Sequence, residues 1–278
     1  MSRREYATHL TDAEWDQLAP LTPAATLGGR PRKYDMREAL NAIFYPVRAG
    51  CAWRLLPHEF PCRKAAYDYF RHWRKAGVWE QTHAPLREQV RLRAGREPAP
   101  SATIIDSQSV KTTDRGGPGR GFDGGKKING RERHILVDTL GLVLKAQVHA
   151  ADVTDRGGAK PLLESVQGLF PRLGHIWADM GCRGAVIDWI KQHLGWAVEV
   201  VKRPSKWVRC AIDEEPPPLP RFTVLKRRRV VERTFAWLGR SRRMSKDYEY
   251  LPETGEAMIY AVMIRLMLKR LAAPTQLT

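Results

Sequence analysis

The sequence predicts an α/β fold: a mixed β-sheet with flanking helices, preceded by an all-α domain of the helix-turn-helix type. Two observations predict it. Apolar residues recur at helical spacing through about the first 90 residues, and short apolar runs alternate with helical segments beyond residue 100. A chain of 278 residues has room for two cores. We expect a helical domain at 1–92, a linker at 93–101, and an α/β domain at 102–272 with a short insertion near 203–223.

Helix caps mark the start of the first two helices. Thr11 and Glu14 form an S/T-x-x-E capping box, and Asp35 with Glu38 offers a second capping pair. Pro46 falls inside the second helix, where proline costs about 3 kcal/mol, so we expect the last turn to be bent or lost.

A third helix is predicted from the apolar stripe of Ala66, Tyr69, Phe70 and Trp73. Basic residues occupy its opposite side, namely Arg71, Arg74 and Lys75. Short linked helices with a basic outer face on the last are typical of a helix-turn-helix that binds DNA.

The second domain is predicted as three strands, helix, strand, helix, strand, helix. The first strand is the run at 103–106, followed by a glycine-rich basic loop at 115–130 and a hairpin that turns at 138–141. The later elements are expected at 159–169, 176–179, 185–193 and 196–201, and in a long last helix from about 226. No period of 20 to 50 residues repeats, which excludes a solenoid.

The charge balance indicates a polyanionic partner. Lysine and arginine total 47 against 30 acidic residues, a net charge of +17, which favours nucleic acid over the alternative of a membrane surface. The longest apolar stretch, 257–264, is too short to cross a bilayer, and no secretory signal is visible. We expect a cytoplasmic, nucleoid-associated protein with reduced cysteines.

Three distant acids are candidate metal ligands. Asp106 and Asp179 are predicted to end neighbouring strands, where an open α/β sheet gathers its ligand-binding side chains. Glu232 lies early in the final helix beside Arg228 and Arg229, with Val231, Phe235 and Leu238 as the buried stripe. Oxygen ligands of this kind suit Mg²⁺ or Mn²⁺, and two such ions support in-line phosphoryl displacement.

Each acid has an ordinary alternative, because aspartate forms turns and caps and glutamate forms surface ion pairs. The three together, in this element order and in so basic a chain, favour catalysis. Asp138 is expected only to form the hairpin turn, and Asp152 and Asp155 to cap the next helix.

The sequence resembles bacterial insertion-sequence transposases with the DDE active site, of the family-five group. The resemblance is carried by IIDSQSVKT (104–112), GKKINGRERHILVDTLGLVL (125–144), ADMGCRG (178–184), VVERTFAWLGRSRRMSKDYE (230–249), LTDAEWDQLAPL (10–21) and GRPRKYDMREALNAIFY (29–45). It implies an RNase H-like domain in which Asp106, Asp179 and Glu232 hold two Mg²⁺ ions, with Mn²⁺ as substitute. Family members cut at element ends and join the 3′-hydroxyl to target DNA. The resemblance also implies a homodimer or larger assembly on DNA. Leu225 and Gly239 depart from the pattern around the glutamate.

Basic residues predict the contacts with double-stranded DNA, both the terminal inverted repeats and the target. The candidates are Arg71, Arg74, Lys75, Lys126, Lys127, Arg131, Arg133, Arg228, Arg229, Arg233, Arg240, Arg242, Arg243 and Lys246. Two other functions stay open: a DNA-binding regulator that has lost activity, and a structure-specific nuclease that cuts without joining.

Overall fold

The N-terminal helices begin and end close to where their sequence signals predict. The computed structural model describes residues 5–25, 31–114, 116–179, 184–201 and 226–274. Its first four helices are α1 (Asp12–Leu18), α2 (Met36–Ala49), α3 (Arg63–Lys75) and α4 (Val78–Arg93). The capping box of Thr11 and Glu14 is formed, and the Asp35 side chain accepts a hydrogen bond from the Glu38 amide.

Pro46 does not remove the last turn of α2. The helix continues to Ala49, and its end is closed by Gly50, whose backbone adopts the left-handed conformation and whose amide donates to the Pro46 carbonyl. The expected stripe on α3 is confirmed, since Ala66, Phe70 and Trp73 are buried. Helix α4 was not predicted from the sequence, and it ends at Arg93, where the linker was expected to begin.

The predicted mixed α/β architecture is confirmed. Six strands are described, β1 (Ala102–Lys111), β2 (Gly121–Asp123), β3 (Ile128–Val137), β4 (Val143–Ala150), β5 (His175–Ala178) and β6 (Ala197–Val200). The sheet runs β2-β3-β1-β5-β6, and β4 pairs with β3. Strands β3 and β4 are antiparallel to their neighbours, whereas β1, β5 and β6 are parallel.

Among the described residues, four helices follow the hairpin, where the sequence predicted three. They are α5 (Asp155–Glu164), α6 (Ala185–Leu194), α7 (Lys226–Gly239) and α8 (Pro252–Ala272). The segment predicted as one long final helix is therefore two helices, because the chain turns after Gly239 through a short 3-10 turn. The insertion expected at 203–223 lies outside the described residues.

The two faces of the sheet carry different cores. Helices α5 and α6 cover one face through a cluster that includes Ile105, Leu162 and Ile176. The other face packs against α7 and α8, and that cluster continues without a break into the N-terminal helices. Helix α8 is buried on nearly all sides by the rest of the fold. This burial explains the apolar stretch at 257–264, which is too short to cross a membrane. Among the described helices, none combines the length and apolar character that a membrane crossing needs.

Candidate active site

Asp106 lies in the middle of β1 rather than at its end. The prediction that the strand ends at this residue is wrong, because β3 pairs with β1 as far as Lys111. Side chains alternate along a strand, so Asp106 lies on the same face as Ile104, which packs in the core beneath α7 and α8. One carboxylate oxygen of Asp106 accepts a hydrogen bond of 2.8 Å from the Ser107 amide.

Asp179 and Glu232 reach the same region from two other elements. Asp179 immediately follows β5, two residues beyond Trp177, whose partner in the adjacent strand is Ile104. Glu232 lies in α7, where Val231 and Leu238 are buried as predicted and Phe235 is partly buried.

The Arg228 guanidinium connects these two acids. Its Nε lies 3.0 Å from Glu232 Oε1, one helical turn away, and its Nη1 lies 3.8 Å from Asp179 Oδ2. Both carboxylates are partly accessible to solvent. A positive group therefore lies between two of the three acids that the sequence singled out.

The electrostatic environment of Asp106 is unfavourable to its charged form. The pKa of Asp106 is raised to about 6: burial is the largest cause and the charges of Asp179 and Asp155 act in the same direction, while the Ser107 amide and the Arg228 charge oppose them. A carboxylate of this kind is stabilised when a cation approaches it.

The three side chains supply the right donors for a hard divalent cation but do not form a closed shell. Carboxylate oxygens are the ligands that Mg²⁺ and Mn²⁺ prefer. Within the described part of the chain, however, no three acidic, histidine or cysteine side chains are grouped closely enough to hold one ion. Arg228 lies where the carboxylates face each other, so an ion would have to replace its guanidinium.

A second polar cluster lies behind Asp106, on the opposite face of β1. The Ser107 hydroxyl lies 2.7 Å from Glu132 Oε1 and 2.8 Å from Asp155 Oδ1. Lys126 Nζ lies 2.7 Å from the same Glu132 oxygen and 2.9 Å from Ser109 Oγ. Burial lowers the pKa of Lys126, but its hydrogen bond to Glu132 and the surrounding acids raise it overall.

This cluster corrects two details of the sequence interpretation. Thr154, and not Asp152 or Asp155, caps α5, since its hydroxyl accepts from the Gly157 amide. Lys126 is partly exposed but already paired with Glu132. Side chains alternate along the strand, so Ser107 and Ser109 lie on one face, and their hydroxyl groups were the available signal that this face of β1 is polar.

Three of the predicted DNA contacts are buried. Arg131 and Arg133 were expected in an exposed loop, but they belong to β3, with 0% and 2% of their surfaces exposed. Arg131 binds Asp247 and four backbone carbonyl groups, and Arg133 binds the carbonyl groups of Met244 and Lys246. Arg243 is paired with Glu249 at 2.7 Å. These side chains hold the chain after α7 against the sheet.

The other candidates lie at or near the surface. Most of them are exposed, and they lie on α3, in the loop before β3, and on α7 and the segment that follows it. They are Arg71, Lys75, Lys126, Lys127, Arg229, Arg233, Arg240, Arg242 and Lys246. Arg74 is partly buried and lies 3.9 Å from Glu253. Asp138 forms the hairpin turn as expected, accepting from the Leu140 and Leu142 amides, but its role is not limited to the turn, because it is also paired with Arg91.

Comparison with known families identifies the class of protein. Residues 97–267 match the family described as "Transposase DDE domain". This match spans more than half of the sequence, and the chain therefore belongs to the DDE transposase family. The family implies an RNase H-like fold, in agreement with the mixed sheet, and its members use divalent metal ions.

Further similarities narrow the class to insertion-sequence proteins. Residues 10–83 match the family described as "Putative transposase of IS4/5 family". The "Insertion element IS402 uncharacterized 16.2 kDa protein" of Burkholderia cepacia is 29% identical over 117 residues, 38% of this chain and 76% of the relative. The "Uncharacterized protein y4sN" of Sinorhizobium fredii is 26% identical over 117 residues, 42% of this chain and 87% of the relative. No solved structure matches the chain.

Proposed function

We propose that the chain cuts DNA at the ends of an insertion sequence and joins the freed 3′-hydroxyl to target DNA. The observation that carries the proposal is the position of Arg228, which contacts Glu232 and approaches Asp179 beside the partly buried Asp106. Three acids from β1, the end of β5 and α7 are thereby directed to one region, beside a protein surface rich in exposed cations.

Asp106, Asp179 and Glu232 would hold two Mg²⁺ ions, or Mn²⁺ as a substitute. When bound, the ions activate the attacking oxygen and stabilise the leaving one in an in-line displacement at phosphorus. The Ser107 amide fixes the orientation of Asp106. The raised pKa of Asp106 means that the ion must displace a proton when the pH is below about 6.

Arg228 is proposed to contact DNA as well as the acids. In the structure its guanidinium neutralises Asp179 and Glu232. Its planar array of donors also suits a phosphate oxygen. Arg228 therefore has a proposed DNA contact as well as a role in keeping the acids in place.

The exposed cations are proposed to bind the terminal inverted repeats and the target. Arg71 and Lys75 project from α3, and Arg229, Arg240 and Arg242 from α7 and its exit. Contacts of this type position a duplex without reading its sequence. We also propose assembly of two or more copies, since two element ends must be held together, and a location in the cytoplasm with the nucleoid.

The test uses DNA that carries the inverted repeats flanking the gene. With Mg²⁺, the chain is expected to nick at the repeat ends and to produce joined target DNA, whereas Asp106→Ala does neither. Asp188→Asn, which changes an exposed acid on α6, is the matched control and should retain both activities.

Three outcomes would contradict the proposal in different ways. Absence of nicking by the unmodified chain favours a DNA-binding regulator that has lost activity. Equal nicking by Asp106→Ala shows that the acid is not involved. Nicking without joined product favours a structure-specific nuclease.

A further inference from the structure

A cleft lies beside the proposed metal site, on the same face of the sheet. It has a volume of about 650 Å³ and is bounded by the segment that follows α4, by β5 and by the start of α7. Its charged and aromatic lining consists of Arg91, Arg96, Glu97, Arg172, Trp177 and Arg227. Four guanidinium groups therefore face one carboxylate.

The four arginines differ in how far the fold already occupies them. Arg91 is bound to the buried Asp138 and to the Glu97 carbonyl. Arg172 is about half exposed, 3.4 Å from Glu97. For the side chain of Arg96, no hydrogen bond or ion pair is formed with any residue that the structure describes. Arg96 can thus take an anion directly, whereas Arg172 would exchange Glu97 and the Ala99 carbonyl group, 3.3 Å away, for one.

Trp177 and Arg227 are stacked on one another at one side of the cleft, with the exposed Arg227 outermost. The Arg227 guanidinium lies 4.3 Å from the centre of the Trp177 ring. The indole is held in place from its edge, since Nε1 donates to Glu199 at 2.7 Å. Nucleic-acid bases stack both on aromatic rings and on guanidinium planes.

Two elements, β5 and α7, connect the cleft to the three acids. Trp177 precedes Asp179 by two residues, which in β geometry places both on the same face about 7 Å apart along the chain. Arg227 precedes Arg228, which contacts Glu232. A DNA strand whose phosphodiester lies at the acids can therefore continue into the cleft.

We propose that this cleft binds an unpaired segment of the DNA strand that is cut, next to the reacting phosphodiester. Arg96 and Arg172 hold its phosphates, and Trp177 with Arg227 stacks a base. The volume is that of a small-molecule pocket, enough for about one or two nucleotides and far too small for a duplex. The inference rests on the proposed function, because the path of the DNA strand is inferred from the position of the three acids.

The test compares single-stranded and duplex binding without catalysis. A fluorescein-labelled oligothymidylate and a duplex of equal length are titrated with the chain in EDTA, and anisotropy is recorded. Arg96→Ala is expected to weaken single-strand binding about 10-fold, as for loss of a charge-assisted hydrogen bond. Trp177→Ala is expected to weaken it by about 5-fold or more through lost stacking. Duplex binding should change less than about 2-fold.

Matched controls separate the cleft from general charge and from misfolding. Lys191→Ala removes an exposed cation from α6 on the opposite side of the sheet and should leave single-strand binding unchanged. Arg96 has an exposed side chain, so its replacement leaves the fold intact even if Trp177→Ala does not.

Two results would overturn the proposal. One is that Arg96→Ala leaves single-strand binding unchanged or weakens both DNAs equally. The other is that inorganic phosphate or pyrophosphate displaces the oligonucleotide as effectively as unlabelled oligothymidylate, which would identify a site for free phosphate. Because the binding assay in EDTA does not depend on catalysis, single-strand binding and nicking are measured separately, so failure of this inference is distinguishable from failure of the proposed function.

Discussion

At the scale of single residues, Arg228 explains how Asp179 and Glu232 remain close together. Like charges at close range repel unless a cation lies between them. Arg228 contacts Glu232 at 3.0 Å and lies 3.8 Å from Asp179, so it supplies that cation. Asp106 receives less compensation, and burial raises its pKa to about 6.

The first prediction concerns pH and metal binding. Below a pH of about 6, Asp106 is protonated in the folded chain, and a divalent ion must displace that proton. The apparent Mn²⁺ affinity is expected to fall about tenfold for each pH unit below 6 and to be nearly constant above it. Calorimetric titration between about pH 5 and pH 8 measures this dependence.

Arg228→Gln provides the control for that titration. The Arg228 charge lowers the pKa of Asp106, so its removal should move the inflection to higher pH. An affinity that does not vary with pH in the unmodified chain would show that Asp106 is not a ligand.

The second prediction assigns Arg131 to stability rather than to DNA. Its guanidinium is 3.2 Å from the buried Asp247 and binds the carbonyl groups of residues 118, 119, 249 and 250. Arg131→Met leaves Asp247 buried without its partner and should lower the free energy of unfolding by about 3–5 kcal/mol. Urea unfolding measures the change.

Lys127→Met is the contrasting variant, since Lys127 is exposed in the same region. It should change stability by no more than about 0.5 kcal/mol and weaken DNA binding instead. If Arg131→Met proved as stable as the unmodified chain, the buried network would not have the role described.

At the scale of elements, local signals predicted the helices and strands that carry caps or short apolar runs. Thr11 and Asp35 mark α1 and α2, and the turn at Asp138 predicts the β3–β4 hairpin. The full length of β1 was missed because its second half is polar, and its pairing with β3 is a long-range contact that no local pattern reveals. The break between α7 and α8 was missed, since the two helices were predicted as one, and α8 is buried on most sides and shows little helical periodicity.

The third prediction concerns acid stability of the β3–β4 pair. His149 Nε2 lies 2.7 Å from His134 Nδ1, and burial, followed by the His149 charge, lowers the pKa of His134 to about 4. Above a pH of about 6.5, neither the folded nor the unfolded chain protonates this group, so it contributes nothing to pH dependence. Between about pH 6.5 and pH 4 only the unfolded chain binds the proton, so the free energy of unfolding falls by about 3 kcal/mol.

Urea unfolding at about pH 7 and pH 4.5 tests this expectation. His134→Gln should show a smaller loss than the unmodified chain, whereas His58→Gln, at an exposed position, should show the same loss. Part of the loss should persist in both variants, because burial lowers the pKa of His83 to about 3. An unchanged loss in His134→Gln would contradict the assignment.

At the scale of the whole molecule, the N-terminal helices and the sheet share one apolar core through α8. Residues of α1, α2 and α4 belong to the same cluster as residues of β3, β4 and α8. The division into domains at 1–92 and 102–272 remains a prediction. The shared core joins the basic face of α3 to the part of the fold that contains the acids.

The fourth prediction is the salt dependence of duplex binding. Arg71 and Lys75 are exposed on α3, and each phosphate contact contributes about 0.9 to the slope of log affinity against log salt. The double variant Arg71→Ala, Lys75→Ala should reduce the slope by about 2, whereas Lys191→Ala should not change it. A slope unaffected by the double variant would exclude this face from the interface.

The sequence predicted the three acids but not their surroundings. Asp106, Asp179 and Glu232 were selected from element order and charge. The buried partners of Arg131 and Arg133 could not be predicted, because the order of charges along the chain does not reveal which arginines become buried. The cleft at Trp177 also depends on segments separated by about 80 residues along the sequence.

The number of divalent ions bound by each chain tests the central claim most directly. Mn²⁺ binding is measured by electron paramagnetic resonance in the presence of DNA carrying an element end, for the unmodified chain and for Asp106→Asn, Asp179→Asn and Glu232→Gln. We predict two ions for the unmodified chain and the loss of at least one in every variant, with Asp188→Asn unchanged. The same number of ions in all five proteins would contradict the convergence of these three acids on a metal site.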